Sequence, residues 1–410
     1  MLDYRGNMNL WRTVMHNIVI CSLLKSYYGL INYFAGQWVK ALEKLPDVHV
    51  KELYIDAISE IDKELTDMLQ SGCCSMLCYN NCGLLLSSDN LGNIWEHYGI
   101  KVYDFLLDHP RNYDDSLANP IQNLHVICLD QNHVDFVKRF YPKVKDVIYL
   151  PDSGVKECDV IKPFHERSID VLYCGNCQNS HEAVVDVEYL PKNGMEMYDT
   201  AIGMIFDDPT LTAEQAVERY LEEKDLEHGT ETLYDLFVEK QVSRCIEDIV
   251  RREYKLMIMH ALDMAGIKVD VYGTGWEDAE KPFSENIRVH KRVTPYECHK
   301  LMGDAKIDLS IMPWFKRGSS EKPFAGMMNG AVCVSDTSTY LEENYMDGID
   351  IMLFDLDHIE KAVQDIIWLL DNPKEAEIIA MNGHHHAMEN DGTDARIRQL
   401  IAIMSEGLEH

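Results

Sequence analysis

Long apolar runs are what this chain most obviously lacks. None reaches the roughly 20 residues that a bilayer-crossing helix needs, so no membrane span is expected. No basic stretch followed by an unbroken apolar core opens the sequence, and no secretory signal is expected either. Cations are scarce: 38 Lys and Arg stand against 69 Asp and Glu, a formal net charge of −31. Such a surface repels nucleic acid and anionic lipid, which argues against both as partners. A phosphate-bearing ligand would need a local basic pocket that overrides this field. No internal repeat and no low-complexity linker is visible. The twelve cysteines lie mostly within expected strands and helices, which favours a reducing cytoplasm over a disulfide framework.

What is present is enough apolar sequence for two cores. At 410 residues and 46% apolar content, the chain fits two α/β domains better than one. Short β-branched runs alternate with helical patterns from the start: strands at 17–24, 48–55, 75–79, 102–107, 124–129 and 146–150, with helices between most of them. This alternation predicts a parallel sheet with right-handed crossovers. The turn-rich segment 151–168 then introduces a second series. It opens with a strand at 169–173 ending in CGNC, continues through an acidic, helical insertion at about 181–250, and resumes with IKVDVYG, NIRVHKRV, KIDLSIMPW, AVCVSD and IDIMLFD. The expected domains are 1–155 and 156–390, followed by a terminal helix at 391–406. Doubly wound units of this kind bind ligands outside the carboxyl ends of their strands.

The second half carries a series of motifs in fixed order: VLYCGN, VYGTGW, KRV with PYECHKLMGDAKIDLSIMPW, EKPFAGMMNGAVCVSD, LEENYMDG and NDGTDARIRQL. The series resembles CgeB-like glycosyltransferases and, more distantly, family 4 of the retaining glycosyltransferases. It covers roughly 250–406, about a third of the chain. The first half adds only its architecture and FLLDHP. The resemblance implies an α/β GT-B fold: two Rossmann-like domains facing a central cleft, with a helical insertion in the second and C-terminal helices. It also implies a nucleotide-sugar donor, such as a UDP- or GDP-sugar, as substrate, with no cofactor and no bound metal. The acceptor is left open as a glycan, a protein or a small molecule.

The residues point to the same chemistry. Gly175, Gly273 and Gly275 sit in strand-end turns, where glycine lets backbone amides approach a ligand; a plain tight turn explains them equally. In FKRGSSEKPF, the cations Lys316, Arg317 and Lys322 bracket Gly318, Ser319, Ser320 and Glu321 ahead of a helix starting near Pro323. Cations beside free helix amides suit a diphosphate, with Arg317 expected to act on the leaving group. By resemblance, Lys291, Arg292 and Val293 lie where the nucleobase is read. The pattern departs at Ala325, five residues before Gly330, where family members carry a ribose-holding glutamate; Glu321 lies about one helical turn off register. In the first domain, Asp108 is a candidate base on an acceptor hydroxyl. His109, expected near its free pKa, is the other. Asp108 could equally cap a turn.

Other signals are read as structural. Cys73, Cys74, Cys78 and Cys82 are taken as buried apolar residues rather than zinc ligands, and His384–His386 as a polar helix surface. Trp11, Tyr27, Tyr28 and the neighbourhood of Tyr33 are taken as core and cleft lining. Two rival functions remain on sequence grounds: a non-catalytic GT-B protein that binds a nucleotide sugar or glycan, and a nucleotide-sugar epimerase.

Overall fold

The computed structural model describes residues 15–25, 29–58, 61–177, 194–277 and 281–406. Trp11, Tyr27, Tyr28 and the first part of the expected insertion lie outside them. The chain divides into two units, one of 1–155, 294–296 and 388–410, the other of 156–293 and 297–387.

The strands of the first unit are β1 (His16–Ser22), β2 (Val48–Tyr54), β3 (Cys74–Tyr79), β4 (Ser87–Ser88), β5 (Gly92–Asn93), β6 (Lys101–Leu106), β7 (Leu124–Cys128) and β8 (Asp146–Tyr149). β4 and β5 form a small antiparallel hairpin. The other six form one parallel sheet in the order β2-β1-β3-β6-β7-β8. Ile18 to Cys21 are consecutively buried, as expected of a strand covered on both faces. The helix Leu30–Leu42 buries Phe34, Ala35, Trp38, Ala41 and Leu42 at helical spacing. Its Trp38 ring lies 5.0 Å from Tyr79 and 4.5 Å edge-on from Phe105, which fixes the helix against β3 and β6.

Residues after 388 complete this first unit. The helix Thr393–Glu406 carries Arg396, whose guanidinium donates to the Asp152 carbonyl at 3.0 Å and to the Asp391 carboxylate at 2.9 Å. Both charged side chains of that ion pair are essentially inaccessible. A buried pair of this kind holds only while both charges and their hydrogen bonds are in place.

The second unit contains β9 (Ile169–Cys174), β10 (Val269–Tyr272), β11 (Ile287–His290), β12 (Ala305–Ser310), β13 (Val332–Asp336) and β14 (Met352–Phe354). Every pairing is parallel, in the order β11-β10-β9-β12-β13-β14. The chain thus winds outward from β9 in one direction and returns at β12 to wind in the other. That order puts the topological switch point between β9 and β12, where open α/β sheets bind ligands. Between β9 and β10 the described insertion is helical, with Gly194–Asp207, Ala213–Glu223, Thr230–Tyr234, a π turn at Asp235–Glu239 and Val242–Met264. The helix Ala213–Glu223 opens on a capping box between Thr212 and Gln215. Among the described residues, no helix is long and apolar enough to cross a membrane.

Candidate functional site

Beside the switch point, the loop after β9 is joined edge to edge to the loop after β10. After β9, the Gly175 amide donates to the Tyr272 carbonyl at 2.9 Å, and the Cys177 amide to the Thr274 carbonyl at 2.8 Å. In return, Trp276 Nε1 donates to the Gly175 carbonyl at 2.9 Å, and the Thr274 amide to Asn176 Oδ1 at 3.1 Å. Glycine is required here by this contact. A Cβ on Gly273 would lie 2.1 Å from the Gly175 oxygen, and one on Gly275 (φ +82) 1.9 Å from the Cys177 oxygen. The two glycines therefore admit a neighbouring backbone rather than an open space.

Cations converge on the end of β9. The Lys322 ammonium donates to the Cys174 carbonyl at 2.8 Å, and the Lys255 ammonium to the Asn176 carbonyl at 2.9 Å. Lys255 is only 3% exposed. Burial pushes its pKa well below the usual lysine value, and the like charges of Arg251 and Lys322 push in the same direction. The Arg251 guanidinium stacks on Trp314 at 3.6 Å, with the Lys255 ammonium 5.4 Å from the same ring. Arg251, Lys255, Asn176 and Trp314 were not among the residues expected from sequence. One signal was available: Arg251 and Lys255 stand four apart, on one face of the helix Val242–Met264 that leads to β10.

The expected basic loop divides. Lys322 reaches β9, whereas Lys316 and Arg317 line a cleft of about 900 Å³ with Asp208, Arg219, Asp355 and Asp357. Gly318, Ser319 and Ser320 are buried. The Ser319 hydroxyl donates to the Ser320 carbonyl at 3.0 Å, and the Ser320 hydroxyl to Met312 Sδ at 2.9 Å, so both serve the loop itself. Glu321 is the N-cap of the helix Lys322–Met328. Ala325, on that helix, is fully buried against Ile169, Leu172, Met302 and Ala305. The position of the absent glutamate thus faces the core. Lys291, Arg292 and Val293 follow β11, the edge strand of the sheet, with Lys291 exposed and the other two half-buried.

In the first unit, Asp108 is exposed just beyond β6, where Tyr113 donates to its Oδ2 at 3.1 Å and Asn80 Nδ2 at 3.4 Å. His109 does not titrate near its free pKa, contrary to expectation. Its ring packs edge-on against His133 and Phe136, each at 4.6 Å. Burial, then the Arg111 charge, push its pKa well below the usual value. Its Nδ1 accepts the Arg111 amide at 3.2 Å, which uses the lone pair a base would need and leaves Asp108 as the accessible group. The Ser153 amide donates to Asp152 Oδ1 at 2.7 Å. His384–His386 is not simply a polar surface: His384 is buried against the Met328 carbonyl and His386 pairs with Asp350 at 2.8 Å.

Residues 251–402 match a protein-family model described as glycosyl transferase-like. Among solved structures, a DNA-modifying β-glucosyltransferase, determined with and without uridine diphosphoglucose, aligns over 95% of this chain and 99% of its own. The identity is 10% and the TM-score 0.51. An α-glucosyltransferase in complex with UDP and a 13-mer DNA aligns over 96% and 100%, at 9% identity and a TM-score of 0.51. The fold is GT-B. This chain also aligns with TarM over 80% of its length at 11% identity and a TM-score of 0.44, and spans about half, 54%, of that longer chain. No curated protein matches the sequence. Within this GT-B chain, Arg251, Lys255, Trp314 and Lys322 all belong to the glycosyltransferase-like segment.

The central strands of the GT-B second unit also bury carboxylates. Asp336, at the end of β13, accepts the Met312 amide at 2.6 Å, yet burial pushes its pKa up to about 7. The folded chain then keeps a proton that the unfolded chain releases near 3.8. This group therefore contributes less to stability as pH rises through the window from about 4 to 7. His133, lowered to about 3 by burial, works in the opposite sense below its free value of 6.5, so the readout must be a difference. The melting temperature of Asp336→Asn minus that of the parent is expected to become more positive from pH 5 to pH 8 in scanning calorimetry. A difference independent of pH would rule out the buried charge.

Proposed function

We propose that the chain is a metal-independent, retaining glycosyltransferase of the CgeB-like kind, related to family 4. It transfers a hexose from a UDP- or GDP-sugar in the cytoplasm, where the twelve cysteines stay reduced. One observation carries the reading: the Lys255 amine is buried beside Lys322 and Arg251 at the end of β9 in the second unit's sheet, where burial and these like charges push its pKa well down. Arg251 also meets Glu247 at 3.7 Å and Asp248 at 3.9 Å, and basic groups gathered at a strand end in this way suit a multiply charged anion. In a chain of net charge −31, a diphosphate fits that requirement.

In this reading Lys322 and Lys255 neutralise the departing nucleoside diphosphate, which is where charge develops in the transition state. Lys316 and Arg317 add positive charge from the loop that leads to Lys322. The backbone about Val293 reads the base. Asp108, held by Tyr113 and Asn80, receives the acceptor hydroxyl. Of the two glucosyltransferases of like fold, one modifies DNA and the other was determined with a 13-mer DNA, but the net charge here argues for a glycan, protein or small-molecule acceptor.

Thermal shifts with UDP, GDP, TDP, CMP and their sugars, with and without magnesium, test the proposal. One nucleoside diphosphate at a hundredfold excess over its Kd is expected to raise Tm by about 5 °C, equally without the metal. No shift with any of them would sink the donor reading.

A further inference from the structure

Asp308 lies in the middle of the second unit's sheet, on β12, beside β9 at the Asp308–Leu172 register. It is 2% exposed, and among the described residues no hydrogen bond or ion pair reaches its carboxylate. Its Oδ2 is pressed against the helix Lys322–Met328: a Cβ on Gly326 would come within 2.5 Å of it. The charges that face it are few. Lys322 acts on it favourably and Glu321 unfavourably, both from the start of that helix. The Cys333 thiol on β13 and the Cys298 thiol on the helix Pro295–Met302 feel its charge. The ammonium that partly offsets Asp308 is thus the one that donates to the Cys174 carbonyl at the end of β9.

Resting on the donor reading of this site, we propose that Asp308 makes diphosphate binding at Lys322 proton-coupled, the carboxylate taking up one proton when the anion claims the Lys322 charge. Burial already pushes Asp308 up to about 7 while Lys322 pulls it down. An anion on Lys322 removes that pull and adds a like charge nearby, so the acid becomes the stable form at neutral pH. No covalent step is involved, since the proton comes from solvent and returns to it on release. The consequence is that donor binding weakens as pH rises and product leaves more readily on the alkaline side.

The test is titration calorimetry with UDP and with inorganic pyrophosphate at pH 6.5, 7.5 and 8.5, in buffers of differing ionisation enthalpy. The parent is compared with Asp308→Asn, so that protons belonging to the ligands themselves cancel. At pH 7.5 the parent is expected to take up a substantial fraction of a proton more than the variant. Its affinity should fall by up to about tenfold per pH unit relative to the variant's. If Asp308→Asn does not fold, Asp308→Ala removes the same titrating group. Equal uptake by parent and variant overturns the proposal. So does uptake that persists in Asp308→Asn but disappears in Lys255→Met, which would assign the proton to Lys255. Binding without Asp308-dependent uptake overturns the coupling alone. Failure of both probes to bind at every pH overturns the coupling together with the donor reading.

Discussion

Replacing Lys322 by alanine is expected to lower turnover by about 10²–10³-fold, the usual loss when one preorganised charge-stabilising group is removed. The Lys322 ammonium is fixed by the Cys174 carbonyl at 2.8 Å and lies 5.9 Å from the centre of the Tyr173 ring. It is therefore oriented before a ligand arrives and need not reorganise when charge develops on the leaving group. The loss should appear in kcat as well as in kcat/KM, because the leaving diphosphate carries more charge in the transition state than in the bound donor. Donor hydrolysis without acceptor, followed by release of the nucleoside diphosphate, gives the measurement without knowledge of the acceptor. Circular dichroism should show an unchanged fold. A variant with near-parental turnover would remove Lys322 from the chemistry and leave Lys316 and Arg317 as the cations to test next.

The largest structural effect is expected at Gly275. Alanine there meets two obstacles together: a backbone at φ +82, and a Cys177 carbonyl oxygen 1.9 Å from the new methyl carbon. Because the obstructing atom is backbone, no side chain can swing aside. The Cys177 amide, bonded to the Thr274 carbonyl at 2.8 Å, ties the same loop down from the other side. Relief requires parting the β9 and β10 loops, with loss of their shared hydrogen bonds. A cost of about 4 kcal/mol or more is expected, which lowers Tm by about 10 °C in a domain of this size. Thermal denaturation checks it directly. An effect under about 1 kcal/mol would show that the loops are free to separate. Gly266, with φ +74 but no atom near its missing Cβ, is the control that isolates backbone strain from the clash.

The architecture was largely legible because parallel strands declare themselves locally. NIVICSLL became β1, KIDLSIMPW gave β12 and AVCVSD gave β13, each a β-branched run bounded by polar residues. What escaped was either too short for periodicity to register or decided by tertiary packing. The hairpin of β4 and β5 and the turn of helix at Asp114–Ala118 are of the first kind. The site is of the second kind. Lys322 was visible because it stands in a charged loop. Arg251 and Lys255 share one face of a helix, and nothing near them in sequence shows that Trp314, some sixty residues on, lies across them. Ala325 showed by counting that a glutamate was missing, but only its burial against Leu172 shows what replaces it, a contact with the core. His109 misled in the same way. Its neighbours His133 and Phe136 are distant in sequence, and they hold it as a half-buried ring whose pKa is pushed well down.

The first unit gathers residues from both sides of the second, and this fixes an order of assembly on the ribosome. Everything through residue 387, and so all of the second unit, has been synthesised before Arg396 exists. Until then, the Asp152 carbonyl and the Asp391 carboxylate lack the guanidinium that satisfies them in the finished protein. The nascent first unit stays incomplete until residues from 388 onward have been made. Chains halted before residue 396 carry an unfinished first unit however well the second has folded, and proteases that survey nascent chains would find them there.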